Sequence, residues 1–213
     1  MRWAVPPQST QVIDSDTSTS RTLATARRYV PGVRVVAGSA RGRRLAAPPG
    51  ASTRPTSDRV REALFNALGS LDVIAEATVL DLFAGSGALG IEALSRGAAS
   101  ATFVDDDRAA LDCIRRNLEA TDLAARAEVV RSDATRFIDR TDAWFDVALL
   151  DPPYSYSAWT ELLDRLPASL AVVESDREVS PPPGWHMVRQ KRYGSTVVSV
   201  IRRSDRRIGE ESE

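Results

Sequence analysis

The sequence predicts an α/β protein with a mainly parallel sheet and helices on both faces. Three observations predict it. Strand-like and helix-like segments alternate from Thr78 to Val173, which is the pattern of repeated βα units. Residues 145–150 are nearly all apolar, as in a strand covered on both faces. Gly85, Gly87 and Gly90 form a Gly-x-Gly-x-x-Gly turn between a strand and a helix. The chain has 213 residues, 43% hydrophobic and 27% charged, which suits one globular domain with an appendage.

The elements follow in order. Residues 1–32 read as a disordered tail, rich in Ser and Thr from Gln8 to Thr25 and lacking the sustained apolar segment of a secretory signal. The expectation is an overlong start or a dispensable extension. Residues 33–37 and 43–47 read as the two sides of a hairpin around Gly38-Ser39-Ala40-Arg41-Gly42. A Pro/Gly loop over 48–55 completes a basic extension spanning 33–55. Val60, Ala63, Leu64, Ala67 and Leu68 then make one apolar helical stripe, capped by Thr56 or Ser57 and ended by Gly69.

The main domain, 56–203, continues with strands at 78–83, 101–104, 127–130, 145–150 and 170–173. Helices are expected to about Ser95, at 107–120, near 134–139 and at 158–166. The span from Tyr154 to Glu174 reads as short, leaving little room beyond that last helix. Residues 185–192 and 196–202 form a closing hairpin about Gly194, supplying one antiparallel strand. A tail covers 204–213.

Charge is unevenly placed. The net charge of -1 argues at first sight against a nucleic-acid binder. Yet residues 1–62 carry 11 Arg against four acids, and Arg34 to Arg61 hold seven Arg against Asp58 alone. All basic residues but Lys191 are Arg, which contacts phosphate bidentately. Arg34, Arg41, Arg43, Arg44, Arg54 and Arg59, with Thr56, are therefore expected to form an RNA handle. One cysteine, Cys113, excludes an internal disulfide and a cysteine zinc cage and fits a reducing, cytoplasmic setting; one histidine, His186, excludes a multi-histidine metal site. Neither residue, nor Trp144, Trp159 or Trp185, is assigned chemistry. No apolar run approaches the length of a membrane span.

Two motifs carry chemistry. The first is Asp81-Leu82-Phe83-Ala84-Gly85-Ser86-Gly87-Ala88-Leu89-Gly90, with Asp105 at the tip of the next strand, suited to a ribose diol. A dinucleotide would bring its pyrophosphate close to Asp81, which would repel it. S-adenosylmethionine brings a cationic amino group and sulfonium, and Asp81 favours it. The second motif is Asp151-Pro152-Pro153-Tyr154, directly after the buried strand. The Asp151 carboxylate and the Pro152 carbonyl suit an exocyclic NH2 on a base. Hydrogen bonds from its N–H groups favour a more nucleophilic nitrogen in the transition state. Tyr154 offers a stacking face for a flipped base.

These motifs, with Val35-Val36-Ala37-Gly38-Ser39-Ala40-Arg41-Gly42-Arg43, Arg54-Pro55-Thr56, Asp58-Arg59-Val60-Arg61-Glu62 and Leu64-Phe65-Asn66, resemble the RsmD family of bacterial methyltransferases, which modify guanine N2 in 16S rRNA. The resemblance covers about Val33 to Arg203. It implies a Rossmann-like, seven-stranded S-adenosylmethionine-dependent methyltransferase sheet with an amino-terminal β-hairpin extension. It implies that Asp81, Phe83, Ala84, Gly85, Ser86, Gly87 and Gly90 hold the methionine end of the cofactor. Asp105 would hold the ribose, Asp133 with Ala134 the adenine, and Asp151, Pro152, Pro153 and Tyr154 the target guanine. The expected partner is 16S rRNA in a small-subunit particle, and the expected state is a metal-free monomer. The alternatives are a DNA adenine or protein amide acceptor, which the Arg-Gly-Arg hairpin disfavours, and a non-catalytic RNA-binding assembly factor, which intact Asp151 and Tyr154 disfavour.

Overall fold

The computed structural model describes residues 33–48 and 58–204. The expected tail at 1–32, all but Ser204 of the tail expected at 204–213, and the loop with Arg54, Thr56 and the expected helix cap lie outside them. Helix α1 (Asp58–Ser70) leads into β1 (Thr78–Leu82), α2 (Ala88–Ser95), β2 (Ser100–Asp105) and α3 (Arg108–Thr121). A 3-10 turn precedes β3 (Ala127–Arg131), α4 (Ala134–Ile138), β4 (Phe145–Leu150), α5 (Trp159–Arg165), β5 (Ala168–Ser175), β6 (Trp185–Tyr193) and β7 (Thr196–Arg203). The helix expected at 158–166 is the seven-residue α5, which fits the short span after Tyr154.

The strands form one seven-stranded sheet in the order β3-β2-β1-β4-β5-β7-β6. The first five pair in parallel, and β7 runs antiparallel between β5 and β6. Alternation along the strands sends side chains to two cores. Val79, Val147, Leu149 and Val172 face Phe65, Leu68, Ile91, Leu94, Leu111 and Ile114 from α1, α2 and α3. Leu80, Leu82, Ala148, Leu150 and Val173 face Ile138, Leu162 and Leu163 from α4 and α5. Each fully buried Leu, Ile or Phe of this kind stabilises the fold by about 1.5–3 kcal/mol. No described helix is long and apolar enough to cross a membrane.

Two local expectations change. Gly69 does not end α1, which runs on to Ser70. Leu71 N–H still reaches the Ala67 carbonyl at 3.2 Å and Ser70 Oγ donates to Asn66 O, so the last turn stays closed around the glycine. The expected hairpin at 33–47 is antiparallel but holds only the single bridge Arg34↔Arg44 rather than two strands. Val35 N–H donates to Arg43 O at 2.9 Å, Gly42 N–H to Val35 O at 2.8 Å and Leu45 N–H to Val33 O at 2.9 Å, but other amides of the arm are drawn to side chains. Val36 and Ala37 N–H donate to the Glu92 carboxylate at 2.7 and 3.0 Å, Ala40 N–H to Ser95 Oγ at 3.0 Å, and Ala46 N–H to Asn117 Oδ1 at 2.8 Å. The segment is an arm stapled across α2 and α3.

Candidate functional site

The site sits at the carboxyl edge of the sheet. Register pairs Leu82 with Val104 on one side and Leu150 on the other. The next residues along, Phe83, Asp105 and Asp151, therefore leave three neighbouring strands at one level. Asp133 follows β3 and caps α4, accepting from Arg136 N at 3.1 Å. The chain thus brings Asp133, Asp105, Asp81 and Asp151 to one edge in the order of their strands.

The glycine loop closes over Asp81. That carboxyl is buried and its Oδ2 accepts from Gly90 N at 2.8 Å. Asp81 thereby satisfies one of the free amides in the first turn of α2 from inside an apolar strand. The strand tip and the helix start converge, so the side chain can serve from there. Burial, reinforced by the charges of Asp151 and Asp105, pushes its pKa to about 8, against the lowering effect of the Gly90 bond. Gly90 is required by space: a Cβ there would lie 2.4 Å from Phe103 Cε1 and 3.1 Å from Asp81 Oδ2.

Phe83 turns the chain out of β1 with φ 70°, a strained value for a bulky residue, and Phe83 and Ala84 N–H both donate to the Val104 carbonyl. Gly85 and Gly87 follow at φ 54° and 75°. Asp105 Oδ2 accepts from Gly85 N at 2.8 Å and its Oδ1 from Asp107 N at 2.9 Å, so the carboxylate is pinned beside the loop. This donor set fits S-adenosylmethionine. The cofactor presents an ammonium, a ribose diol and an adenine amino group, all donors, and the edge supplies acceptor oxygens on Asp81, Asp105 and Asp133 together with an open turn at Gly85, where a Cβ would meet nothing closer than Phe83 O at 4.0 Å.

At β4 the Asp151–Tyr154 turn is half open, with Pro152 buried and Pro153 exposed. Tyr154 Oη lies 3.2 Å from Thr196 Oγ1, so the closing hairpin reaches back to the target motif. Tyr156 packs edge-on against Phe83 at 5.4 Å and Trp159 at 5.1 Å, linking the cofactor turn to α5. Sequence reasoning missed Thr196 and Tyr156; the position of Tyr156, two residues past Tyr154 in a loop, was the available signal. Trp159 and Trp185 are core residues, Trp144 is exposed, and His186 faces solvent.

Arg34, Arg41, Arg43, Arg44 and Arg59 are all exposed. Arg43 also donates from Nη1 to the Ala120 carbonyl at 3.3 Å, at the carboxyl end of α3. Arg61 differs. It is buried, 3.8 Å from the buried Glu92 carboxylate, and donates to the Arg34 carbonyl, so it anchors the arm and leaves the basic surface one charge smaller than the sequence count. Glu92 holds Arg96 as well, at 2.7 Å. Gly38 lets the arm close on α2: a Cβ there would stand 1.8 Å from the Ser95 carbonyl oxygen, and its φ is 84°. Glu92 was legible only as a charge inside the apolar run of α2.

Comparison with known proteins agrees with this architecture. Residues 33–202 match the family model described as Conserved hypothetical protein 95. The chain is 39% identical over 184 residues to YlbH of Bacillus subtilis, covering 80% of this chain and 99% of that one. It is 39% identical over 181 residues to the ribosomal RNA small subunit methyltransferase D of Escherichia coli, covering 80% and 90%. The solved structure of Escherichia coli yhhF superposes with a TM-score of 0.71 at 40% identity, over 80% of this chain and 97% of that one. The α/β sheet is therefore that of a Rossmann-like methyltransferase, and the chain belongs to the RsmD family.

Proposed function

We propose that the protein methylates the exocyclic N2 amine of a guanine in 16S rRNA. The observation that supports this best is the adjacency of β1 and β4, which sets the glycine loop beside Asp151-Pro152-Pro153-Tyr154 in a chain whose arm carries exposed arginines. Bound S-adenosylmethionine supplies an electrophilic methyl on a sulfonium. The chain's residues do the rest. Asp105 and Asp133 orient the ribose and adenine, and Asp81 with the loop receives the methionine end. Asp151 and the Pro152 carbonyl accept the N–H bonds of the guanine amine, and Tyr154 stacks on the base, its ring steadied by Thr196. Orientation of this kind replaces a bimolecular encounter by a placed one.

The arm supplies salt-dependent contacts to phosphate, and duplex regions are read by shape. Arg54 and Thr56 belong to the same handle in this reading. It places the reaction in the cytoplasm, on a small-subunit particle, carried out by a monomer without metal. The basic extension at 33–55 and the domain at 56–203 act as RNA handle and catalytic unit. The test is transfer of tritiated methyl from labelled cofactor to unmodified 16S rRNA, naked and in small-subunit particles, with nucleoside analysis. Label in N2-methylguanine supports the reading; RNA binding with no transfer to either substrate overturns it.

A further inference from the structure

The arm and the glycine loop share one side chain. Asn117, on α3, is buried. Its Oδ1 accepts from Ala46 N at 2.8 Å, and its Nδ2 donates to Ala46 O at 3.0 Å and to Ser86 O at 2.8 Å. Ala46 belongs to the arm, two residues from Arg44, whose bridge to Arg34 ties both sides of the arm together. Ser86 lies between Gly85 and Gly87 in the loop. One carboxamide thus reads both backbone groups of an arm residue and one carbonyl of the cofactor turn.

We propose that Asn117 is a positioning residue that makes RNA binding on the arm and cofactor binding in the loop mutually favourable. A primary amide has two donor hydrogens, and both are committed here. If the arm shifts, Asn117 must follow it and release Ser86 O, or stay and release Ala46; either leaves a buried polar group without its bond. The Ser86 carbonyl sets the plane of the peptide that enters Gly87, at φ 75°. Holding that plane preserves the turn that receives the cofactor. Cys113, one helical turn earlier, adds a thiol bond to Ala46 O at 3.2 Å, so the arm is fixed to the same stripe of α3. Ligands that each order one side of the shared amide lower the cost of ordering the other, and such coupling is reciprocal.

The inference rests on the arm binding RNA, as proposed above. The test measures the affinity of the full chain for unmodified 16S rRNA by filter binding, with and without saturating S-adenosylhomocysteine. In the wild type the small ligand should tighten RNA binding by about 5-fold or more, the lower end of ordinary allosteric coupling. Asn117→Asp, which keeps shape but removes both donors, and Asn117→Ala should bring the ratio to within about twofold of unity. Thr121→Val is the control. Thr121 is buried on the same helix but bonds only to the carbonyls of Asn117 and Leu118, so its variant should keep the wild-type ratio. In the wild type itself, S-adenosylhomocysteine should slow hydrogen exchange in the peptide containing Ala46, a readout that needs no variant. A wild-type ratio of one, a ratio retained in both Asn117 variants, or no change in exchange at Ala46 overturns the coupling. A wild type that binds S-adenosylhomocysteine but no RNA overturns the RNA handle along with it.

Discussion

The carboxyl edge of the sheet and the arm at 33–48 meet across α2 and α3, but they are held by different means. The edge inherits its precision from the parallel ladder. Once Leu82 pairs with Val104 and Leu150, the positions of Asp105 and Asp151 follow from strand geometry. The arm has one ladder bridge and a few backbone bonds across it, and for the rest depends on side chains: Glu92, Ser95, Arg61 and Asn117 take its other backbone groups one by one. The proposed chemistry is placed by a repeating lattice, and the proposed RNA handle by individual staples. A single substitution should accordingly spare the frame when made at the edge, and loosen the frame when made under the arm.

The largest effect should come from the edge. Asp151→Ala removes one acceptor for the target amine and should lower methyl transfer by about 10³-fold, the scale for losing a preorganised polar group, while leaving cofactor affinity intact. A matching loss of cofactor binding would show that the two halves of the edge are not separable. Under the arm, Glu92→Ala leaves Arg61 buried without its carboxylate and frees the Val36 and Ala37 amides. It should cost about 3–5 kcal/mol in denaturant unfolding. Loss of the exposed Asp112–Arg115 pair should cost less than about 1 kcal/mol and marks the scale of an ordinary surface ion pair.

Asp81 sharpens the comparison through pH. Its folded pKa is raised to about 8 from 3.8, so the folded state holds this proton more tightly than the unfolded chain. Its contribution to stability is complete below about pH 4 and is lost as pH rises through about 8. Relative to Asp81→Asn, the wild type should lose stability across that window with a slope of up to about 1.4 kcal/mol per pH unit. Equal slopes in the two proteins would place the ionised form under the loop. The smallest effect on the frame belongs to the arm's surface. Arg41→Ala with Arg43→Ala should change stability by about 0.5 kcal/mol or less, yet weaken RNA binding and reduce the salt slope by about 0.7–0.9 for each phosphate no longer neutralised. An unchanged slope would remove these two residues from the handle.

The edge was legible because its signals are local and periodic. The apolar run of β4, the three glycines and the acids at strand ends each carry meaning within ten residues. Only Asp81's second role, on Gly90, needed the strand and helix to be seen together. The arm was half legible. Its arginines and Gly38 stand out in the chain, but its anchors do not: Asn117 lies beside Ile114 and Leu118 as an ordinary polar residue of α3, and Arg61 counts as a surface charge until Glu92 is placed 31 residues later. Bonds between side chains and a distant backbone have no period, so pattern reading found the antiparallel pairing of the arm but overstated its length and missed its anchors. Thr196 escaped for the same reason, 42 positions from the Tyr154 it touches.

The place of β7 bears on when the enzyme becomes competent. It follows every other described strand in the chain, yet it lies inside the sheet, between β5 and β6. Until it arrives, β5 has an open edge and β6 has no neighbour to join. Tyr154 also waits for Thr196, the first residue of β7. A chain emerging amino terminus first therefore exposes Asp81, Asp105, Asp133 and Asp151 before it exposes the threonine that steadies Tyr154.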